Sequence, residues 1–207
     1  MKLLVATRST GKQRELKRLF AGSGIEIAFP DDVGIPDSPE EDLLEYFDSF
    51  EANARHKAEY FARKSKLPTV ADDSGLEVLA LDGAPGVRSK RFSGLDGSPD
   101  EVDEANNDEL LCRLVGAPPE RRGARYKCAL VYLPRPDAPP HSFEGTCGGR
   151  ILDRRDGDEG FGYDPLFYSD DLQKPFGRAS AGEKDRVSHR GHAFRALKEY
   201  LEQSLAS

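Results

Sequence analysis

The rhythm of apolar and polar positions changes several times along this chain, and each change marks an element. Leu3 to Ala6 is a short apolar run that predicts a strand. Thr7 to Gly11 is a polar turn, and Leu16, Leu19 and Phe20 then share one face of a helix. Gly24 to Phe29 predicts a second strand, followed by an acidic, proline-bearing loop over Asp31 to Glu41. Ser49 to Lys64 is strongly amphipathic, with Phe50, Ala54, Ala58 and Phe61 on one stripe. Pro68 to Ala71 reads as a strand closed by Asp72 and Asp73, and Gly75 predicts a turn just beyond. Leu76 to Leu81 either continues that strand or folds back as a hairpin.

Further along, Gly83 to Gly97 predicts a long surface segment and Asp100 to Leu114 a helix. Tyr126 to Leu133 is a continuous apolar strand, and Pro134 to Pro140 a proline-rich connection. Ser142 to Gly145 and Arg150-Ile151 predict a hairpin around the glycines, and His189 to Leu205 a terminal helix with Ala193, Leu197 and Leu201 inward. Helices alternate with strands early and antiparallel pairs follow later. That order predicts an α/β fold with a mixed central sheet and flanking helices. Neither an internal repeat nor a linker is visible, so residues 1–207 are expected to form a single domain.

Composition narrows the function classes. The length is enough to bury a substantial core. A formal net charge of −7 argues against nonspecific duplex binding, which needs a basic stripe, so no nucleic-acid partner is expected. No run approaches the ~20 apolar residues of a membrane span, and Met1 to Ala6 is too short for the core of a signal peptide. Cys112, Cys128 and Cys147 are an odd set without Cys-x-x-Cys spacing. They predict buried free thiols in a reducing cytoplasm rather than a disulfide framework or a zinc site.

Several clusters carry candidate chemistry. Asp72 and Asp73 repel each other unless a cation stands near them, and a divalent metal or a transferring proton is one reason to keep such a pair. An Asx-type turn is the alternative. Along an extended strand the two would point to opposite faces. The opening loop Ala6-Thr7-Arg8-Ser9-Thr10-Gly11-Lys12-Gln13 departs from a P-loop at Ala6 and Gln13. Hydroxyls, amides and a lysine at a helix N-terminus still suit a phosphate, and an ordinary capped turn would look the same. Asn53 and Lys57 stand one turn apart on the amphipathic helix, with Glu45 just upstream. Gly160-Phe161-Gly162-Tyr163-Asp164-Pro165 places an aromatic ring between glycines, which suits a flat base or a core plug. Lys184 can meet a phosphate, and His189-Arg190 at a helix start can donate to a carbonyl.

Taken together, seven segments in order resemble the inosine triphosphate pyrophosphatase family, the house-cleaning hydrolases of dITP and XTP. They are Ala6-Thr7-x4-Lys12-x2-Glu15, Phe50-x2-Asn53-Ala54-x2-Lys57-Ala58, Ala71-Asp72-Asp73-Ser74-Gly75-Leu76, the run from Gly83-Ala84-Pro85-Gly86 to Phe92-Ser93-Gly94, Asn106-x3-Leu110-Leu111, Gly160 to Pro165, and Ser188-His189-Arg190-Gly191. The resemblance implies two lobes around a nucleotide-binding cleft, a Mg²⁺ cofactor and a homodimer. It implies that Thr7, Arg8, Ser9, Thr10, Gly11 and Lys12 hold the triphosphate. Asp73 would bind the metal and act as general base, with Glu45 as a second acidic group and Ser74 touching the substrate. Phe161, Gly162, Tyr163 and Asp164 would stack on and border the purine, Lys184 would contact the nucleotide, and His189 and Arg190 would read its six-position carbonyl.

The chain departs from the family pattern in three places. Arg8-Ser9 stands where Gly-Asn is usual, Ala52 replaces a glutamate, and Glu45-Tyr46-Phe47-Asp48-Ser49-Phe50 is bulkier than the usual Glu-Thr-Gly-x-Thr-Phe. Two other readings are a Maf-like pyrophosphatase for modified pyrimidine nucleotides and a nucleotide-binding module without turnover.

Overall fold

The structure is a computed structural model and describes residues 1–205. Among the described residues seven strands hydrogen-bond in the order β2-β1-β3-β4-β5-β6-β7. They are β1 (Lys2–Val5), β2 (Glu26–Ala28), β3 (Thr69–Val78), β4 (Gly123–Leu133), β5 (His141–Ile151), β6 (Phe167–Ser169) and β7 (Lys174–Pro175). The helices are α1 (Thr10–Leu19), α2 (Phe50–Ser65), α3 (Pro99–Arg113), α4 (Ala181–Val187) and α5 (His189–Leu205). β1 pairs in parallel with β2 and β3, while β6 pairs antiparallel with β5 and β7, so the expected mixed sheet is present.

The chain divides into two compact units. The first comprises Met1–Asp73, Cys128–Gly145 and Gly191–Ser207, and the second comprises Ser74–Lys127 and Thr146–Arg190. In the first unit, strand alternation sorts the side chains into two cores. Leu3, Val5, Val70, Cys128 and Leu130 pack with Leu16 of α1, Phe20 at its C-cap, and Phe194, Leu197 and Leu201 of α5. Leu4, Ala6, Ala71, Val131 and Leu133 pack with Ala54, Ala58, Phe61 and Ala62 of α2. The second unit has its own core, in which Leu76, Val78, Tyr126 and Phe167 meet Leu110 of α3 and Leu114 at its C-cap.

The helix starts follow from side-chain caps. Ser9 accepts from the Lys12 amide and Ser49 from the Ala52 amide. Ser98 and Glu101 form a reciprocal capping box at α3.

Three expectations need correction. The turn predicted at Gly75 does not form: β3 runs straight through Asp72, Asp73, Ser74 and Gly75. The alternation of buried Leu76 and Val78 keeps the strand going. The hairpin predicted from the glycines is one uninterrupted strand, β5. There the glycines mark close approach, since a Cβ on Gly149 would collide with the Tyr168 carbonyl and the Phe167 ring of β6. The segment expected on the surface over 83–97 is indeed mostly exposed or half-buried, and it winds into a 3-10 turn, Gly86–Arg91, around the buried Ser89. Cys128 and Cys147 are buried free thiols as expected, but Cys112 is exposed. No helix among the described residues is long and apolar enough to cross a membrane.

Candidate functional site

In the first unit the doublet on β3 splits its partners. Val70 faces the core shared with α1, and Ala71 faces the core shared with α2. The alternation carries Asp72 to the α1 side and Asp73 to the α2 side. Accordingly Asp72 Oδ2 accepts from Lys12 Nζ at 2.8 Å, and Asp73 Oδ2 accepts from Asn53 Nδ2 at 2.8 Å. Both aspartates are buried, at 1% and 5% exposure.

Glu45 completes this group. Its carboxylate forms a short ion pair with Lys57, one helical turn beyond Asn53. Burial pushes the Asp73 carboxyl above the usual carboxylate range and the charge of Glu45 adds to that, while Lys57, Lys12 and the Asn53 amide act against it. Burial alone would lower the Lys57 ammonium, but Glu45, Asp72 and Asp73 together outweigh it and hold the proton more tightly than usual.

The opening loop lies beside this group. Thr7 is buried, its Oγ1 accepts the Ser9 amide at 3.3 Å, and its carbonyl accepts from Gln13 Nε2 at 3.1 Å. Thr10 opens α1 and Gly11 is buried in its first turn. Arg8 turns elsewhere. Its guanidinium takes Glu41 in two bonds of 2.7 Å each and the Ile35 carbonyl at 3.1 Å, and it pairs with Asp31 and Asp37. Hydrogen bonding to Glu41 and these charges raise its proton affinity further.

In the second unit the glycine-rich turn, α4 and the start of α5 bring their residues together. Lys184 is 5% exposed, donates to Asp164 Oδ2 at 2.5 Å, and lies 4.6 Å from the Phe161 ring centroid. Asp164 Oδ2 also accepts the Phe161 amide at 2.9 Å. Lys184 is delivered by the Ser180–Glu183 capping box of α4. Lys174 and Ser180 hold the Glu183 carboxyl down at about 2. Arg190 Nη2 donates to Ser74 Oγ at 2.7 Å, and its guanidinium carbon lies 5.9 Å from the Phe161 centroid. His189 stacks on Tyr126, with centroids 4.7 Å apart and planes inclined by 8°. Tyr163 is a core side chain whose hydroxyl donates to the Ser89 carbonyl at 2.8 Å.

The model of the Ham1 family matches residues 3–200. This chain belongs to the Ham1 family. It is 44% identical over 208 residues to a dITP/XTP pyrophosphatase of Lactobacillus acidophilus, covering 97% of this chain and 96% of that protein. The same identity over 208 residues, with full coverage of both chains, relates it to a dITP/XTP pyrophosphatase of Frankia alni. Among solved structures, the Staphylococcus aureus Ham1 protein superposes with a TM-score of 0.81 at 34% identity, covering 99% of this chain and all of that one. A HAM1 protein from Coxiella burnetii gives 0.84 at 30% identity, covering 98% and 99%.

Within this Ham1 chain, the first unit gathers Thr7, Ser9, Lys12, Glu45 and Asp73. The second gathers Ser74, Phe161, Asp164, Lys184, His189 and Arg190. Sequence reasoning passed over Asp103, Asn107 and Tyr126. Tyr126 looked like any apolar strand position. Asp103 and Asn107 look like the solvated face of a helix, and only their one-turn spacing sets them apart.

Proposed function

We propose that this chain hydrolyses non-standard purine nucleoside triphosphates, of the ITP, dITP and XTP class, to the monophosphate and pyrophosphate. The observation that carries the reading is Asp73: a buried carboxyl with raised proton affinity, oriented by Asn53 and surrounded by Lys57, Lys12 and Glu45. The names of its relatives, dITP/XTP pyrophosphatases, supply the substrate class.

The donor set fits a hard divalent cation, and Mg²⁺ is the one proposed. Glu45 and Asp73 offer carboxylate oxygens. Three carboxyl side chains, Glu45, Asp72 and Asp73, stand here against two lysines, Lys12 and Lys57, so acidic side chains outnumber basic ones in the group. Mg²⁺ typically takes only one or two carboxylates from the protein and completes its sphere with water and substrate phosphates. Among the described residues no group of three or more His, Cys, Asp and Glu is placed to hold an ion. The two-carboxylate arrangement requires none. Bound there, Mg²⁺ would neutralise phosphate charge.

The chain's own residues divide the remaining work. Asp73 takes the proton of the water that attacks the α-phosphorus, and pyrophosphate departs. A base with raised proton affinity is suited to that transfer near neutral pH. Lys12, with Thr7, Ser9, Thr10 and the amide of Gly11, supplies positive charge and donors to the triphosphate. Arg8 holds the 31–41 segment through Glu41, Asp31 and Asp37 and contributes to the loop's shape. Phe161 offers its ring to the purine. His189 and Arg190 donate toward a six-position carbonyl. Against adenine these donors would face an amino group and stay unpaired, which discriminates strongly. Residues 1–207 are taken as one functional domain, working as a homodimer in the cytoplasm.

Hydrolysis of ITP in ¹⁸O-water tests the reaction. One ¹⁸O in the monophosphate is expected. Label in pyrophosphate or in orthophosphate would place the attack on another phosphorus and reject the reading.

A further inference from the structure

Asp103 and Asn107 stand one turn apart on α3 and share a face. Both reach the same residue. Asp103 Oδ2 accepts the Gly162 amide at 2.6 Å, and Asn107 Nδ2 donates to the Gly162 carbonyl at 2.9 Å. The peptide groups on both sides of the Gly162 Cα are thereby fixed. Gly162 has φ +64°, a left-handed conformation that suits glycine and sets the turn following Phe161.

The clamp is itself braced. Asn107 is 2% exposed, and its Nδ2 also donates to the Asp103 carbonyl at 2.8 Å, so its amide plane is held from two directions. A second tie joins the approach to the turn to the same helix. Arg155 Nη2 donates to the Glu104 carbonyl at 3.1 Å and to Asp108 Oδ1 at 2.8 Å. What the clamp presents is Phe161, half-buried, with the Lys184 ammonium 4.6 Å and the Arg190 guanidinium 5.9 Å from its centroid.

We propose that Asp103 and Asn107 are positioning residues for base selection: by fixing both sides of Gly162 they set the height and tilt of the Phe161 ring relative to Arg190. This rests on the reading of Phe161 as the face that meets the purine. Neither residue needs to touch the substrate. A ring free to shift by a fraction of an ångström would still stack on a base. It would no longer hold the six-position oxygen in register with the donors, and hydrogen bonds weaken steeply with misalignment.

Steady-state kinetics with ITP and with ATP test this on the full chain and on Asp103→Ala, Asp103→Asn and Asn107→Ala. The alanine variants should raise KM for ITP about fivefold, the scale of one lost buried hydrogen bond, with kcat kept within about twofold. The ITP:ATP ratio of kcat/KM should shrink by a similar factor, about fivefold. Asp103→Asn retains an oxygen that accepts the Gly162 amide, so it should restore most of the preference. Asp103 is only half-buried on α3, so Asp103→Ala carries the test should Asn107→Ala fail to fold. A wild-type preference for ITP that survives Asp103→Ala unchanged overturns the clamp alone, as does a fall in kcat with KM and preference intact. Equal turnover of ITP and ATP by the wild-type chain overturns the base-recognition reading, and the clamp with it.

Discussion

Lys12 of α1 holds Asp72 at 2.8 Å on one face of β3, while Asn53 of α2 holds its neighbour Asp73 on the other. Two adjacent carboxylates of one strand therefore serve different groups. The first anchors Lys12, the lysine proposed to meet the phosphates. The second sits among Glu45 and Lys57, where a metal and an attacking water are proposed to meet.

Replacing each aspartate by asparagine separates these roles. Asp73→Asn should lower kcat by at least about a thousandfold, in line with removing a group that acts only in the transition state, and leave the fold intact by circular dichroism. Asp72→Asn removes one partner of a largely buried ion pair and should cost about 1–3 kcal/mol of stability, with a smaller loss of kcat. A greater kcat loss from Asp72→Asn in a folded protein would reverse the assignment.

The raised proton affinity of Asp73 has a sign that melting curves can read. Its native carboxyl binds a proton more tightly than the unfolded one, so its contribution favours the native state at low pH. That contribution is lost as pH rises from the ordinary aspartate range through the raised native value. An asparagine side chain at this position cannot ionise and escapes that loss. Thermal unfolding in a chelator should therefore show the Asp73→Asn variant gaining on wild type as pH rises from about 4 to about 8. A variant that instead loses ground to wild type over this range would mean that Lys57 and Lys12 outweigh the burial of Asp73.

Glu45 tests the metal. Glu45→Gln keeps the shape but removes one of the three negative charges around Lys57. The Mg²⁺ concentration for half-maximal turnover should rise by about tenfold, while KM for ITP at saturating Mg²⁺ changes little. An unaltered Mg²⁺ dependence would take Glu45 out of the metal group.

Arg8 is expected to stabilise rather than to bind. Asp31 and Asp37 are largely exposed and contribute little, whereas the two-pronged bond to the shielded Glu41 is the strong part. Arg8→Ala should lower stability by about 1 kcal/mol, with KM for ITP within about twofold of wild type. A tenfold rise in KM at unchanged stability would put Arg8 on the triphosphate instead.

Much of this was legible in the chain, and the gaps have physical causes. The helix Ser49 to Lys64 was readable because Phe50, Ala54, Ala58 and Phe61 repeat at helical spacing, and α2 begins one residue later, after its Ser49 cap. The opposite faces of Asp72 and Asp73 followed from strand alternation. Gly75 and Gly149 misled because a glycine signals a turn and a close backbone approach equally well, and only the partner strand decides between them. Arg8 next to a phosphate-type loop looked like a phosphate ligand. Nothing local announced that Glu41, over thirty residues away, would take its guanidinium. The short β6, β7 and α4 lack the length for a periodic signal.

Turnover of ITP, dITP, XTP, ATP and GTP with Mg²⁺, with pyrophosphate and orthophosphate measured separately for each, tests both the reaction and the base preference. Pyrophosphate is the expected product, with kcat/KM for ITP, dITP and XTP at least about a hundredfold above that for ATP. Orthophosphate release, or equal turnover of ITP and ATP, would contradict that expectation.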